Sequence, residues 1–302
     1  MSIAITGGTG FVGQALLDLA ATQRLTARAL TRRPQPERKG VRWYEGDLAD
    51  TKALKRLVTR TEAVIHVAGV VNAPDVAAFE QGNVAGTMAV VEAAVKAGVP
   101  RFVFVSSLAA REPDLSAYGA SKARAEQVVK ASGLDWTIVR PPAIYGPRDD
   151  GMFELFRAAK WGVVPIPRQG RASIIHVQDL AHLLLSLIKG GEGITHKVFE
   201  PDDGRPGGWP HAELGQAIGY AVGRRAKVLG VSRRTLEWAA KADKMLRGDK
   251  AKMTLDRAGY MSHPDWAVSD GAGVPARLWQ PKIDTRAGLR ATAQWYREEG
   301  WL

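Results

Sequence analysis

Three features of the sequence predict an α/β fold built on a doubly wound parallel sheet, followed by a smaller, mostly helical C-terminal region. Short β-branched runs alternate with helical patterns through the first half, a glycine-rich turn joins the first run to the first helix, and the alternation stops after Pro141-Pro142. The predicted strands are Ile3–Ile5, Leu25–Leu30, Val41–Tyr44, Val64–Val67, Phe102–Val105 and Trp136–Val139. Between them, Phe11–Thr22, Leu54–Arg60, Val76–Ala97 and Tyr118–Ser132 carry apolar residues at three- and four-residue spacings, as amphipathic helices do. Right-handed crossovers then place helices on both faces of the sheet. Beyond Pro142, Gly/Pro-rich loops at 162–170 and 201–210 separate helices near Asp179–Leu187 and Arg233–Leu246.

The turn reads Thr6-Gly7-Gly8-Thr9-Gly10-Phe11-Val12-Gly13, directly after an apolar strand and directly before a helix. Glycine permits a tight turn and a close backbone approach, and a helix N-terminus offers free N–H groups and partial positive charge to a pyrophosphate. This placement predicts a Rossmann-type, NAD(P)-binding domain over residues 1–147. Residues 148–302 are expected to form a substrate-binding region that can interleave with the sheet. The end of the second strand, where an acidic residue would select NAD, carries Thr31-Arg32-Arg33. Two guanidinium groups beside a hydroxyl suit a 2′-phosphate, so NADP is favoured over NAD, against the alternative of a solvated basic loop. Asp47, after Gly46, is placed either to reach the adenine edge or to form a turn.

Tyr118-Gly119-Ala120-Ser121-Lys122 puts a phenol and an ammonium four residues apart on one helical face. A nearby lysine favours the phenolate, which suits a tyrosine that exchanges a proton with a carbonyl. Ser106-Ser107, at the C-terminal end of the fifth predicted strand, offers a hydroxyl to the substrate oxygen.

Together these residues resemble the short-chain dehydrogenase/reductase superfamily, in its extended, epimerase/dehydratase-like branch. The resemblance runs through His66-Val67-Ala68-Gly69, Asn83-Val84-Ala85-Gly86-Thr87, Tyr118–Lys122 and Arg140–Pro147, and continues in Ile175–Ala181 and Trp295–Leu302. It implies that Tyr118 transfers the proton, that Lys122 binds the nicotinamide ribose and that Ser106 or Ser107 positions the substrate. It further implies cofactor contacts from Gly7, Gly10, Phe11, Val12 and Gly13, from Arg32, Arg33, Asp47 and Leu48, and from Ala68, Gly69 and Asn83. Pro141, Ala143 and Ile144 would line the nicotinamide, and two helices beginning near Val76 and Tyr118 would form a homodimer.

Three departures bear on the substrate. Sugar-nucleotide members of the branch commonly carry Asn where Ala143 stands, and an alanine side chain cannot hydrogen-bond. The segment between the serine and tyrosine motifs is short, Leu108 to Ala117, and Leu108 follows Ser107 where dehydratases carry an acid. The expectation is therefore simple hydride transfer between nicotinamide and a ketone or secondary alcohol, with an apolar, lipid-like small molecule such as a 3-oxo acyl or sphingoid/ceramide intermediate as substrate. A nucleotide-sugar epimerase or dehydratase and a non-catalytic NADPH-binding subunit or sensor stand as alternatives.

A formal charge of +11 favours anionic partners, and the absence of cysteine excludes disulfides and thiolate zinc sites. No His pair has metal-binding spacing on one helix, so no metal is expected, and no basic-aromatic module points to nucleic acid. No apolar run is long enough to span a bilayer. A cytoplasmic location is expected, with peripheral contact at the inner, anionic face of a membrane as a further expectation. That contact rests on Arg233–Arg247, where Leu236, Ala239, Ala240 and Leu246 are expected to share one apolar side flanked by cations, near Trp161, Trp209, Trp238 and Trp266. The bland reading, a helix that packs that side on the core and carries a solvated charged face, is favoured over membrane contact.

Overall fold

The computed structural model describes residues 1–248 and 251–302, and its contacts divide the chain into two compact units. The first comprises Met1–Arg140 and Leu180–Phe199, the second Pro141–Asp179 and Glu200–Leu302. In chain order the first stretch runs β1 (Ser2–Thr6), α1 (Phe11–Thr22), β2 (Thr26–Thr31), β3 (Val41–Glu45), α2 (Thr51–Val58) and β4 (Ala63–His66). It continues as α3 (Val76–Phe79), a π-helical stretch Glu80–Ala85, α4 (Gly86–Lys96), β5 (Phe102–Val105), α5 (Ala117–Lys130) and β6 (Trp136–Val139). Then come β7 (Ala143–Tyr145), α6 (Phe153–Lys160), β8 (Val163–Pro167), β9 (Arg171–Ala172), β10 (Ile174–His176), α7 (Val177–Ser186) and β11 (Lys197–Phe199). The chain closes with β12 (Trp209–Pro210), α8 (His211–Ala221), β13 (Lys227–Val231), α9 (Arg233–Arg247), α10 (Leu255–Met261), β14 (Asp265–Trp266) and α11 (Thr285–Glu298).

The first unit holds a seven-stranded parallel sheet in the order β11-β6-β5-β4-β1-β2-β3. Its central strands are buried throughout: Ile3, Ala4, Ile5, Val64, Ile65, Phe102, Val103 and Phe104 have no exposed surface. Strands covered on both faces read as continuous apolar runs, which is why the sequence marks them so clearly. The order reverses at β1 and β4, and in such sheets ligands bind outside the carboxyl ends of the strands at that point. The predicted helix Val76–Ala97 is present but widened by the π stretch, a feature that recurs at functional sites. The seventh strand, β11, escaped the sequence reading. Its three residues are too short for a period-2 signal and are defined only by pairing, with Val198 opposite Ile138.

In the second unit β8 and β13 form a parallel ribbon, and Tyr145, Phe156, Leu214, Ile218, Leu289 and Tyr296 build a core among β7, α6, α8 and α11. A Cβ on Gly215 of α8 would lie 2.9 Å from Val228 and 3.5 Å from Val164, so the helix seats closely on the inner face of that ribbon. One expectation is corrected here. Leu236 and Ala240 of α9 are buried, but Ala239 and Leu246 are exposed, so only part of the expected apolar side packs on the core. At 100° per residue Leu246 falls roughly 80° from Leu236 around the helix. The tryptophans also divide. Trp209 donates Nε1–H to Asp203 at 2.7 Å and Trp266 donates to the Tyr260 carbonyl at 2.8 Å, whereas Trp161 and Trp238 stand 82% and 74% exposed. No helix of the described residues is long and apolar enough to cross a membrane.

Candidate active site

The turn after β1 is shaped by what glycine lacks. Gly7 adopts φ +74°, and a Cβ there would lie 2.7 Å from the Ala68 amide nitrogen. At Gly13 a Cβ would fall 2.0 Å from the Gly7 carbonyl oxygen, so α1 can pack this tightly on the turn only without a side chain. Gly10 is the N-cap of α1 and offers no side-chain acceptor, unlike Asp50 and Ser116, which cap α2 and α5 through their own oxygens. The first-turn N–H groups, including those of Phe11 and Val12, thus have no side-chain cap. A backbone cradle facing a helix N-terminus at the sheet's switch point fits a dinucleotide pyrophosphate.

At the end of β2, Thr31 is buried, and its hydroxyl donates to the Arg33 carbonyl at 2.6 Å. Arg32 and Arg33 are exposed, and neither guanidinium has a partner among the described residues. Asp47 Oδ1 accepts from Ala49 N–H at 2.8 Å and Asp50 N–H at 3.1 Å, so at least this oxygen makes the turn. Leu48 packs against α4, where a Cβ on Gly86 would meet it at 2.7 Å.

At the end of β4, Thr6 Oγ1 and His66 Nδ1 share a hydrogen bond of 2.6 Å, and His66 Nε2 and Thr87 Oγ1 one of 3.0 Å. Burial, with the Lys122 charge adding to it, holds the His66 imidazole down to about 3, so it is neutral here. Asn83 is fully engaged. Its Oδ1 accepts from Val70 N–H at 2.7 Å, and its Nδ2 donates to the Val70 carbonyl and to Ser121 Oγ, both at 2.9 Å. Asn83 therefore fixes the turn after Ala68 and Gly69, and Gly69 itself lies open.

The two serines at the end of β5 have different surroundings. Ser106 is buried and donates to Glu126 Oε1 at 2.7 Å, a carboxylate also held by Arg140 Nε at 2.8 Å and Nη2 at 2.7 Å. Ser107 is half-buried, and its Oγ accepts from Ala109 N–H at 3.2 Å, leaving its O–H proton without an acceptor among the described residues. On α5, Lys122 donates to the Val105 carbonyl at 2.8 Å and sits 4.5 Å from the centre of the Phe104 ring. Its burial lowers the ammonium to about 8, with the Glu126 carboxylate opposing. Tyr118, one turn earlier, is 9% exposed and lies against Phe79, with ring centres 6.0 Å apart. Gly119 is obligatory next to it, since a Cβ would come within 2.7 Å of the Ala109 carbonyl.

The first unit thus gathers the glycine turn, Arg32 and Arg33, Ala68, Gly69, Asn83, both serines, Tyr118 and Lys122 around the carboxyl ends of one sheet. Pro141, Ala143 and Ile144 belong to the second unit, where β7 pairs with β10 and only Pro141 of the three is buried. The sequence reading missed Glu126 and Arg140. The signal was present, because Tyr118, Lys122 and Glu126 are spaced four by four on one helix.

Residues 7–189 match a family described as NAD(P)H-binding. Over 99% of its length the chain is 36% identical to ceramide reductase of Caulobacter vibrioides, covering 96% of that protein. It belongs to the extended short-chain dehydrogenase/reductase family. A second relative, 2-alkyl-3-oxoalkanoate reductase of Stenotrophomonas maltophilia, is 30% identical over 96% of this chain and 98% of its own. The extended dehydrogenase/reductase fold is shared with the solved structure of MoeE5 in complex with UDP-glucuronic acid and NAD. That match has a TM-score of 0.76 and 23% identity, covering 99% of this chain and 100% of that one. Membership makes this chain an NAD(P)-dependent enzyme of the family, and its curated relatives include both reductases and a UDP-glucose 4-epimerase.

Proposed function

We propose that this chain is an NADPH-dependent ketoreductase acting on a lipid-like 3-oxo substrate. The observation that carries the reading is the full-length similarity to two reductases, of ceramide and of 2-alkyl-3-oxoalkanoates, in a chain that has Ala143 where sugar-nucleotide relatives carry Asn. When bound, the cofactor supplies a hydride to the carbonyl carbon.

The chain's own residues do the remainder. Ser107 donates its free O–H to the substrate carbonyl oxygen and holds it. Tyr118 would give that oxygen a proton as the carbonyl carbon gains the hydride, so ketone, hydride and proton together make the secondary alcohol. Positioned acid catalysis of this kind contributes about 10²–10⁴-fold. Lys122 stays next to the phenol, anchored on Val105, and its positive charge favours the phenolate left after transfer. Leu108, buried behind Ser107, supplies no second acid or base, which suits reduction rather than elimination. Arg32 and Arg33, exposed and unpaired among the described residues, are assigned to the adenosine 2′-phosphate. Residues 141–179 and 200–302 are the part assigned to substrate.

A panel of 3-oxo lipids, short ketones and UDP-sugars, followed at the nicotinamide absorbance with NADPH and with NADH, tests this reading. Oxidation of NADPH by the apolar ketones is expected. Epimerisation of a UDP-sugar, or no turnover of any ketone, would overturn it.

A further inference from the structure

The helix α9 leaves an apolar surface in solvent that no described residue of the second unit covers. Around its axis, Leu236 and Ala240 point into the fold, Trp238 and Met245 lie on the far side at 74% and 84% exposure, and Leu246, 80% exposed, lies on the flank between them. Arg234, Trp238, Lys241 and Met245 recur at spacings of four, three and four, which puts them in a single stripe. Large apolar side chains this exposed and this close together are unusual on a surface without a partner.

The charges around the stripe decide what that partner is. The two acids of α9 are already used: Glu237 pairs with Arg233 at 2.9 Å, and Asp243 pairs with Arg247 at 3.2 Å while accepting from the Lys252 and Met253 amides at 2.8 Å. Arg234, Lys241 and Lys244 have no carboxylate partner among the described residues and stand exposed on one flank of the apolar arc. The order around the helix is therefore core-facing residues, a cationic flank, then exposed Trp, Met and Leu. This is the arrangement of a helix lying in a bilayer interface, with its cations at anionic headgroups and its apolar arc among the first acyl carbons.

A second element extends the same character. The strand β13 runs into α9 through the N-cap Ser232, and its Leu229 is 43% exposed and in register with exposed Pro165 of β8. Paired residues of neighbouring strands share a face, so the outer side of this ribbon presents Leu229 and Pro165 beside exposed Lys227, while Val164 and Ile166 on the inner side are buried. Trp161, 82% exposed, precedes β8 by two residues, and the Gly162 carbonyl after it accepts from Lys227 N–H at 2.8 Å.

We propose that the outer face of α9, flanked by Arg234, Lys241 and Lys244, docks this protein peripherally on an anionic lipid bilayer, with Trp238, Met245 and Leu246 inserted. The proposal does not depend on the ketoreductase reading, and a vesicle assay without substrate tests it separately.

Purified full-length protein is sedimented with vesicles of phosphatidylcholine alone and of phosphatidylcholine with phosphatidylglycerol, while Trp emission is recorded. Co-sedimentation with the anionic vesicles only, weakened by added salt, together with a blue shift of Trp emission, is expected. Lys241→Glu with Lys244→Glu should cut partitioning by tenfold or more, and Trp238→Ala with Met245→Ala and Leu246→Ala should abolish it. Thermal stability should hold in both variants, because all five side chains are exposed. Equal partitioning of wild type and both variants, or no binding of the wild type to anionic vesicles, would overturn the proposal. So would concentration-dependent self-association of the wild type, lost in the triple variant, with no vesicle binding: the face would then belong to a second copy of the chain.

Discussion

Ser106 donates its hydroxyl proton to Glu126 Oε1 at 2.7 Å, and Arg140 holds both oxygens of the same carboxylate. Ser106 is thereby committed to the support beneath α5, and Ser107, one residue on, is the hydroxyl that can still donate. Ser107→Ala is expected to lower kcat by about 10²-fold, the typical cost of losing one donor to a developing oxyanion. Ser106→Ala should leave kcat within a few-fold and cost about 1 kcal/mol in chemical denaturation. The reverse pattern would exchange their roles.

The carboxylate itself is a stability element. Glu126 is 1% exposed and Arg140 19%, so removing one partner leaves a charge with little water to solvate it. Glu126→Ala is expected to cost about 3–5 kcal/mol. Urea unfolding of Glu126→Ala, Arg140→Met and the double variant measures the coupling; a double variant no more stable than Glu126→Ala would show that the arginine is not stranded.

Burial brings the Lys122 ammonium down to about 8 in the free protein. As pH rises through that value the charge one helical turn from Tyr118 is lost, so kcat/KM should fall on the alkaline side. Lys122→Arg keeps the charge and should move that fall to higher pH, and Tyr118→Phe should remove most turnover while cofactor affinity is nearly unchanged. A flat profile from pH 7 to 10 in the wild type would separate Lys122 from the proton transfer.

Arg32→Ala combined with Arg33→Ala should weaken NADPH far more than NADH, by about tenfold or more from the loss of charge-assisted contacts. Titration of each cofactor by fluorescence reads this directly. Equal weakening of both would remove these arginines from the 2′-phosphate.

Stability below neutral pH is set by groups of opposite sign. His66 is held down to about 3 and His176 to about 4, each chiefly by burial, so between those values and 6.5 only the unfolded chain takes up their protons. Stability therefore falls as pH falls through that window. Asp149, which burial pushes up to about 7, protonates in the folded state first, and between roughly 4 and 7 it opposes that loss. Asp149→Asn should make the acid decline of Tm steeper than in the wild type; a shallower decline would contradict this balance.

Much of this molecule is written in local sequence. The predicted strands β1, β4, β5 and β6 are legible because apolar runs buried on both faces leave a continuous pattern, while the edge strand β3 is partly exposed. The glycine turn is equally plain, because Gly7 needs a positive φ and Gly13 a contact no side chain permits. Tyr118 and Lys122 are legible because a helix converts a spacing of four into a shared face. By contrast β11 is three residues defined by its neighbour, and the serines look identical until Glu126, twenty positions away from Ser106, is folded against one of them.

A glycine cradle, an arginine pair at the end of β2 and a Tyr–Lys helix can all be read along the chain, since each depends on residues close together in it. Which serine hydroxyl is left to donate, and which part of α9 meets solvent, emerge from the folded arrangement. Those outcomes depend on which distant groups bury a side chain or take its hydrogen bond, and local periodicity carries no record of them.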